Sequence, residues 1–254
     1  MEMNATMEKA VAKVPAATLV FWIVKILATT LGETGGDAVS MSMNLGYLVG
    51  TAIFAVVFLV FVSLQVSAKR FHPVLYWLTI IATTTVGTTM ADFADRSLGI
   101  GYAGGTTILA VLLIASLGIW YWAMGSISIG SIHSRKAEIF YWVTIMFSQT
   151  LGTALGDWTA DTQGMGYLGG AILFGSLLAV VAILHFTKTV SAAILFWAAF
   201  ILTRPLGAVV GDLLDKPLAS GGLNLSRFAA SAVLLGLIAL CIVVFPQKAA
   251  AKSH

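Results

Sequence analysis

Long uncharged stretches alternate with short charged ones along almost the whole chain. Residues 45–66, 73–91, 99–132, 139–156, 165–184 and 228–245 contain no Asp, Glu, Lys or Arg. Residues 15–31 and 189–206 carry one basic residue each, Lys25 and Arg204. A helix needs about 20 mostly apolar residues to cross a bilayer, so the pattern predicts eight transmembrane helices. The first stretch is long, holds a lysine and is followed by a second span, which excludes a removable signal peptide. No long polar insertion interrupts the series, so residues 1–254 read as a single membrane domain.

Composition sharpens this. Hydrophobic residues make up 59% of the 254 and charged residues 10%, against about 25% charged in a soluble domain. Mean hydropathy is +0.95. These values exclude an ordinary soluble enzyme, a disordered regulator and a nucleic-acid-binding domain, and leave a polytopic all-α membrane protein. A single cysteine, Cys241, excludes an intrachain disulfide framework and a multi-cysteine metal site.

The chain also repeats itself. Trp22, Trp77, Trp142 and Trp197 define a column, each preceded by an aromatic residue: Phe21, Tyr76, Tyr141 and Phe196. Ten residues later stand Gly32, Gly87, Gly152 and Gly207; fifteen later, Asp37, Asp92, Asp157 and Asp212. A second glycine column follows at Gly46, Gly101, Gly166 and Gly221. Tyrosine comes next in three copies (Tyr47, Tyr102, Tyr167), Gly222 in the fourth. The copies are spaced by 55, 65 and 55 residues. Each predicts an inner helix from the aromatic pair to the Asp, a short turn, and an outer helix. The repeats span approximately 16–66, 73–124, 138–187 and 190–246. Two helices per copy give every copy the same orientation, which predicts four parallel repeats with pseudo-symmetry about the membrane normal.

Charge sets the orientation. Lys9, Lys13, Lys69, Arg70, Arg135, Lys136, Lys188, Lys248 and Lys252 fall on the side of the termini; Arg96, Lys216 and Arg227 fall opposite. The excess of basic residues places both termini in the cytoplasm. His72, His133, His185 and His254 sit on the same side and read as solvated rather than as ligands.

The acids gather at the other end: Glu33, Asp37, Asp92, Asp95, Asp157, Asp161, Asp212 and Asp215. Fifteen helical residues span about 22 Å, so each repeated Asp lies far from its Trp. Two roles fit these aspartates. They could cap four equivalent turns, or form a ring of carboxylates that coordinates a cation. In the first repeat Lys25, Thr29, Glu33 and Asp37 share one helix face. Ionisable residues within a span mark a candidate functional site. Lys25 or Arg204 is the internal counter-charge expected to neutralise Glu33 from another helix, or to form a structural salt bridge. Thr29, Thr84 and Gln149, in the column of Arg204, read as polar groups lining a pathway. The four Trp residues read as interfacial anchors. Small-xxx-small patterns such as Gly152 to Gly156 fit close helix packing as well. No His or Cys metal motif, phosphate loop or nucleophile motif is present, so neither an enzyme nor a cofactor is expected.

The fourfold pattern of aromatic-Trp, Gly, Asp and Gly-Tyr resembles a bacterial membrane-protein family built from four tandem two-helix repeats of unknown function. The resemblance covers residues 18–245, and the first copy, with Lys25 to Thr30 and Gly32 to Asp37, is similar to the family's most characteristic stretch. The fourth copy departs at Gly222 and Leu225. The resemblance implies the bacterial inner membrane and no particular activity.

From the residues, the expected function is a transporter or channel for a cation. Glu33, Asp37, Asp92, Asp157 and Asp212 would bind it; all-oxygen ligands favour a hard divalent ion such as Mn²⁺. A non-transporting scaffold subunit and a carrier of a small organic solute are the alternatives. Expected partners are the lipid bilayer and an inorganic cation, with no nucleic acid. Oligomeric state is not encoded in any feature of the sequence. Convergence of the aspartates on one place would separate the first function from the others.

Overall fold

The computed structural model describes residues 12–250; Glu2, Glu8, Lys9, Lys252 and His254 lie outside them. Eight long helices follow one another: α1 (Leu19–Asp37), α2 (Gly46–Ser67), α3 (Pro73–Asp92), α4 (Tyr102–Met124), α5 (Arg135–Asp157), α6 (Gly166–Thr187), α7 (Ala192–Asp215) and α8 (Arg227–Val244). Hydroxyls of Thr18, Ser134, Ser191 and Ser226 accept from backbone N–H groups at the starts of α1, α5, α7 and α8, satisfying donors the helix leaves free. Seven of the eight are long and apolar enough to cross a membrane. The eighth, α5, is as long as α4 at 23 residues. Its charged first turn and its Ser148 and Gln149 lower its hydropathy. The uncharged stretch 99–132 is not one helix, because α4 stops where Gly125 turns left-handed at φ 71°.

The helices form two concentric rings. Inner helices α1, α3, α5 and α7 each pack on two inner neighbours, and α7 returns to α1. Outer helices do not lie mainly on their own partners: α2 packs on α3, α4 on α5, α6 on α7, and α8 closes the circle on α1. Between 61% and 72% of the apolar window is buried in α1, α3 and α7, against 6–17% in α2, α4, α6 and α8. The polar helices are thus inside and the greasy ones outside, as their composition requires if the surround is lipid.

The glycine columns explain how four polar helices approach so closely. A Cβ on Gly32 would strike Thr84, on Gly87 Gln149, on Gly152 Arg204, and on Gly207 Thr29. Every inner helix therefore sets its glycine against the same column of the next one, around the whole circle. One turn on, Gly36, Gly156 and Gly211 meet Thr88, Ala208 and Glu33 in the same way. This is the small-xxx-small packing of membrane helices, repeated cyclically.

The end where Pro15 and Ala249 lie is sealed by aromatic rings. Phe21 packs on Trp77, Tyr76 on Trp142, Tyr141 on Trp197 and Phe196 on Trp22, at centroid distances of 5.4, 5.7, 6.1 and 5.6 Å. The Tyr76 and Tyr141 hydroxyls meet at 2.6 Å. This corrects the expectation of interfacial anchors: Trp77, Trp142 and Trp197 are buried and Trp22 is half-buried, because each ring fills the gap beside the next inner helix. Pro15 pairs with Ala249 across this end. Lys13 donates to Val66 O and Ala68 O at the end of α2 and meets Glu138 at 2.5 Å. Trp197 Nε1 donates to Ile127 O in the loop after α4.

At the opposite end the α-helix passes into a five-residue π-helical turn directly after Asp37, Asp92 and Asp157. The second glycine column then starts the outer helices with φ of 76°, 74° and 66° at Gly46, Gly101 and Gly166, and Gly221 has 84° in the fourth repeat. A left-handed residue at each of these positions accounts for the column.

Candidate cation site

The inner helices present one register to the axis, with residues four apart stacked in layers. From the aromatic end the layers are Lys25, Ile80, Ile145 and Phe200; then Thr29, Thr84, Gln149 and Arg204; then Glu33, Thr88, Thr153 and Ala208; then the four aspartates. All sixteen residues are buried.

Arg204 is the counter-charge of Glu33. Its Nη1 and Nη2 both donate to Glu33 Oε2 at 3.1 Å. Nη2 also donates to Thr88 Oγ1 at 2.5 Å and to Thr153 Oγ1. Lys25 does not reach Glu33. Its Nζ lies 3.5 Å from Gln149 Oε1 and 4.1 Å above the Phe200 ring. Thr29, Thr84 and Gln149 occupy the tight helix crossings, so in this conformation they join the packing; the Thr29 hydroxyl has Lys25 O, Ile26 O and Thr203 O as acceptors within 3.1 Å.

The aspartates converge. None of the three that precede a π-turn caps it with its side chain. Arg96 bridges two of them, Nε to Asp92 Oδ1 and Nη2 to Asp157 Oδ2, both 3.0 Å. Lys216 bridges the other two, meeting Asp212 Oδ1 at 3.0 Å and Asp37. Arg227 adds Asp215 at 3.0 Å and Asp37 at 3.8 Å. Burial opposes the charge on Lys216, but Asp212, Asp37 and Asp215 outweigh it and hold the ammonium well above the usual lysine range.

Arg96 and Lys216 occupy the same repeat position, nineteen residues after the Trp; the other two copies have Met41 and Asp161 there. Cations thus clamp two opposite edges of the aspartate square, 92–157 and 212–37. The remaining edges, 37–92 and 157–212, have no cation of this column. Each is completed by Glu33: oxygens of Glu33, Asp37 and Asp92 lie within 4.8 Å of one another, and so do those of Glu33, Asp157 and Asp212. Asp37, Asp212 and Asp215 make a third such group. Asp157 Oδ1 and Asp215 Oδ1 are buried without a hydrogen-bond partner. Across the cluster six carboxylates (Glu33, Asp37, Asp92, Asp157, Asp212, Asp215) face four cations (Arg96, Arg204, Lys216, Arg227), a formal excess of two negative charges.

The family model of the Repeat of Unknown Function (DUF347) matches the chain four times, at residues 20–71, 75–126, 140–190 and 195–246. The chain belongs to the DUF347 repeat family. No curated protein and no solved structure matches it. Each DUF347 match covers one inner helix and the outer helix that follows. The repeat is therefore a unit of sequence, while the packed pair joins an outer helix to the next DUF347 copy.

Two parts of the site escape a sequence reading confined to the invariant columns. The clamps are one, because Arg96 and Lys216 sit where the other copies carry Met41 and Asp161. Asking which columns alternate between odd and even copies would have found them. The tyrosines are the other. Tyr47 accepts from Arg96 Nη1 at 3.3 Å, and the Tyr102 ring lies 5.7 Å from the Arg96 guanidinium. In the fourth copy a Cβ on Gly222 would strike the Lys216 backbone, so no tyrosine fits there.

Proposed function

We propose that this chain is a multi-pass protein of the bacterial inner membrane, with both termini cytoplasmic, that binds and transports a hard divalent cation such as Mn²⁺. One observation carries the proposal: five buried carboxylates from four helices meet in two oxygen triads that share Glu33. Carboxylate oxygens brought this close repel one another unless a proton or a cation is shared among them, and a hard divalent ion is one group that carboxylate oxygens can hold in this way. The exposed apolar faces of α2, α4, α6 and α8 suit a bilayer.

The aromatic plug and the Lys25 and Arg204 layers lie on the far side of the site. The site is thus closed toward the cytoplasm in this conformation, and passage requires the inner helices to move. That behaviour is a carrier's rather than a channel's. Manganese uptake into proteoliposomes tests it, comparing the native protein with Glu33→Gln and Asp37→Asn. Flux in the native protein and loss in both folded variants is expected. No flux of any divalent ion through folded native protein would overturn the proposal and favour the scaffold or solute-carrier alternatives.

A further inference from the structure

We infer that Lys25 is the proton-carrying group that couples movement of the cation to movement of a proton in the opposite direction. This rests on the transport function proposed above. Lys25 is fully buried at the axis, its nearest partners being an amide oxygen and an aromatic face. No carboxylate pairs with it among the described residues. One layer away lies Arg204, whose charge is already engaged by Glu33. Two positive groups therefore stand in neighbouring layers, and only Arg204 has a carboxylate in contact. An arginine keeps its proton at any working pH, whereas a buried lysine can release it. Of the two, Lys25 alone can change charge.

The ionisable groups on the helices around it are few and placed elsewhere. On α1 they are Glu33 and Asp37, two and three layers away. On α3 they are Tyr76 and Asp92; on α5, Arg135, Lys136, Glu138, Tyr141 and Asp157. On α7 they are Arg204, Asp212 and Asp215; on α8, Arg227 and Cys241. Tyr76 and Tyr141 spend their hydroxyls on each other, and Glu138 meets Lys13. The aspartates are held by Arg96, Lys216 and Arg227. None of these takes over as counter-ion for Lys25.

A divalent ion entering the Glu33 triads adds positive charge to the same low-dielectric interior. The Nζ–H bond of Lys25 then breaks, the electron pair stays on nitrogen, and water takes the proton. Departure of the ion restores the ammonium. Cation and proton exclude each other, so their fluxes are opposed.

Two measurements on the purified full chain test this, using native protein, Lys25→Met and Lys25→Arg. In calorimetry, Mn²⁺ binding is titrated in buffers of different ionisation enthalpy, which counts protons released. In proteoliposomes, radioactive Mn²⁺ self-exchange at equal pH is compared with Mn²⁺ accumulation driven by an imposed pH gradient. Native protein should release a proton on binding and accumulate Mn²⁺ against the gradient. Both variants should release fewer protons and lose gradient-driven accumulation by about tenfold or more. Lys25→Met should keep self-exchange, which shows that it is folded. Unchanged proton release and accumulation in Lys25→Met overturns the coupling role and leaves the transport function standing. Absence of Mn²⁺ binding and exchange in the native protein overturns both.

Discussion

Two edges of the aspartate square carry a clamping cation and two do not, although the glycine crossings of the four inner helices follow one pattern. Arg96 joins Asp92 to Asp157, and Lys216 joins Asp212 to Asp37. The other two edges are completed only by Glu33. Four glycine crossings and four aromatic contacts obey a fourfold rule. The two clamping cations obey a twofold one. Backbone packing is what a repeat must preserve, so it stays uniform around the ring. Chemistry needs only some of the positions and is free to differ between copies. The 55, 65 and 55 spacing has the same twofold form, with copies one and two matching copies three and four.

The largest way to disturb this contrast is to remove the cation that stands at Glu33, the residue common to both open edges. Arg204→Met should destabilise the protein by about 3–5 kcal/mol, since it leaves a buried carboxylate uncompensated. Adding Glu33→Gln should restore most of the loss, read by thermal unfolding in detergent. Next comes a clamped edge. Arg96→Gln should cost about 1–3 kcal/mol, less than Arg204 because the Arg96 side chain is 28% exposed and water screens part of its charge. Putting a cation on an open edge is subtler. Asp161→Arg carries to the third copy the residue type that clamps the second. It should weaken Mn²⁺ binding about tenfold, near 1.4 kcal/mol, with little change in unfolding. Equal affinity in that variant would mean the 157–212 edge does not take part in binding. The smallest effect belongs to the aromatic end. Tyr76→Phe breaks the hydroxyl pair with Tyr141 and should cost about 1 kcal/mol while leaving Mn²⁺ affinity unchanged.

Much of this architecture could be read from residue spacing. The Trp, Gly and Asp columns located the inner helices, the polar face and the four carboxylates. The second glycine column marked the starts of the outer helices or the turns before them. Periodicity failed at questions of partnership. It shows which face of α2 is apolar, but not that α2 packs on α3 rather than on α1. An aromatic pair at a helix end looks the same whether it meets lipid or the next helix, so spacing alone does not separate the two roles for Trp22, Trp77, Trp142 and Trp197. Glu33 was visible as an unusual residue within a span. Its choice of Arg204 over Lys25 depends on helix order around the ring, which no one-dimensional pattern contains. The π-turns after Asp37, Asp92 and Asp157 left no sequence signal that local propensity could have revealed.

The circular hand-off from each outer helix to the next inner one bears on how the molecule is made. No copy can bury its own two helices against each other, so none is a self-sufficient unit during synthesis. The inner face of α1 and its outer groove stay open until α7 and α8 arrive to cover them. The joint between the first and fourth copies is fastened where Pro15 meets Ala249. Segments flanking the ring that lie so close together suit cutting and rejoining of the chain elsewhere. A permuted gene that starts at α3 and ends at α2, with the old termini joined, would move the seam by one copy and still close the same ring.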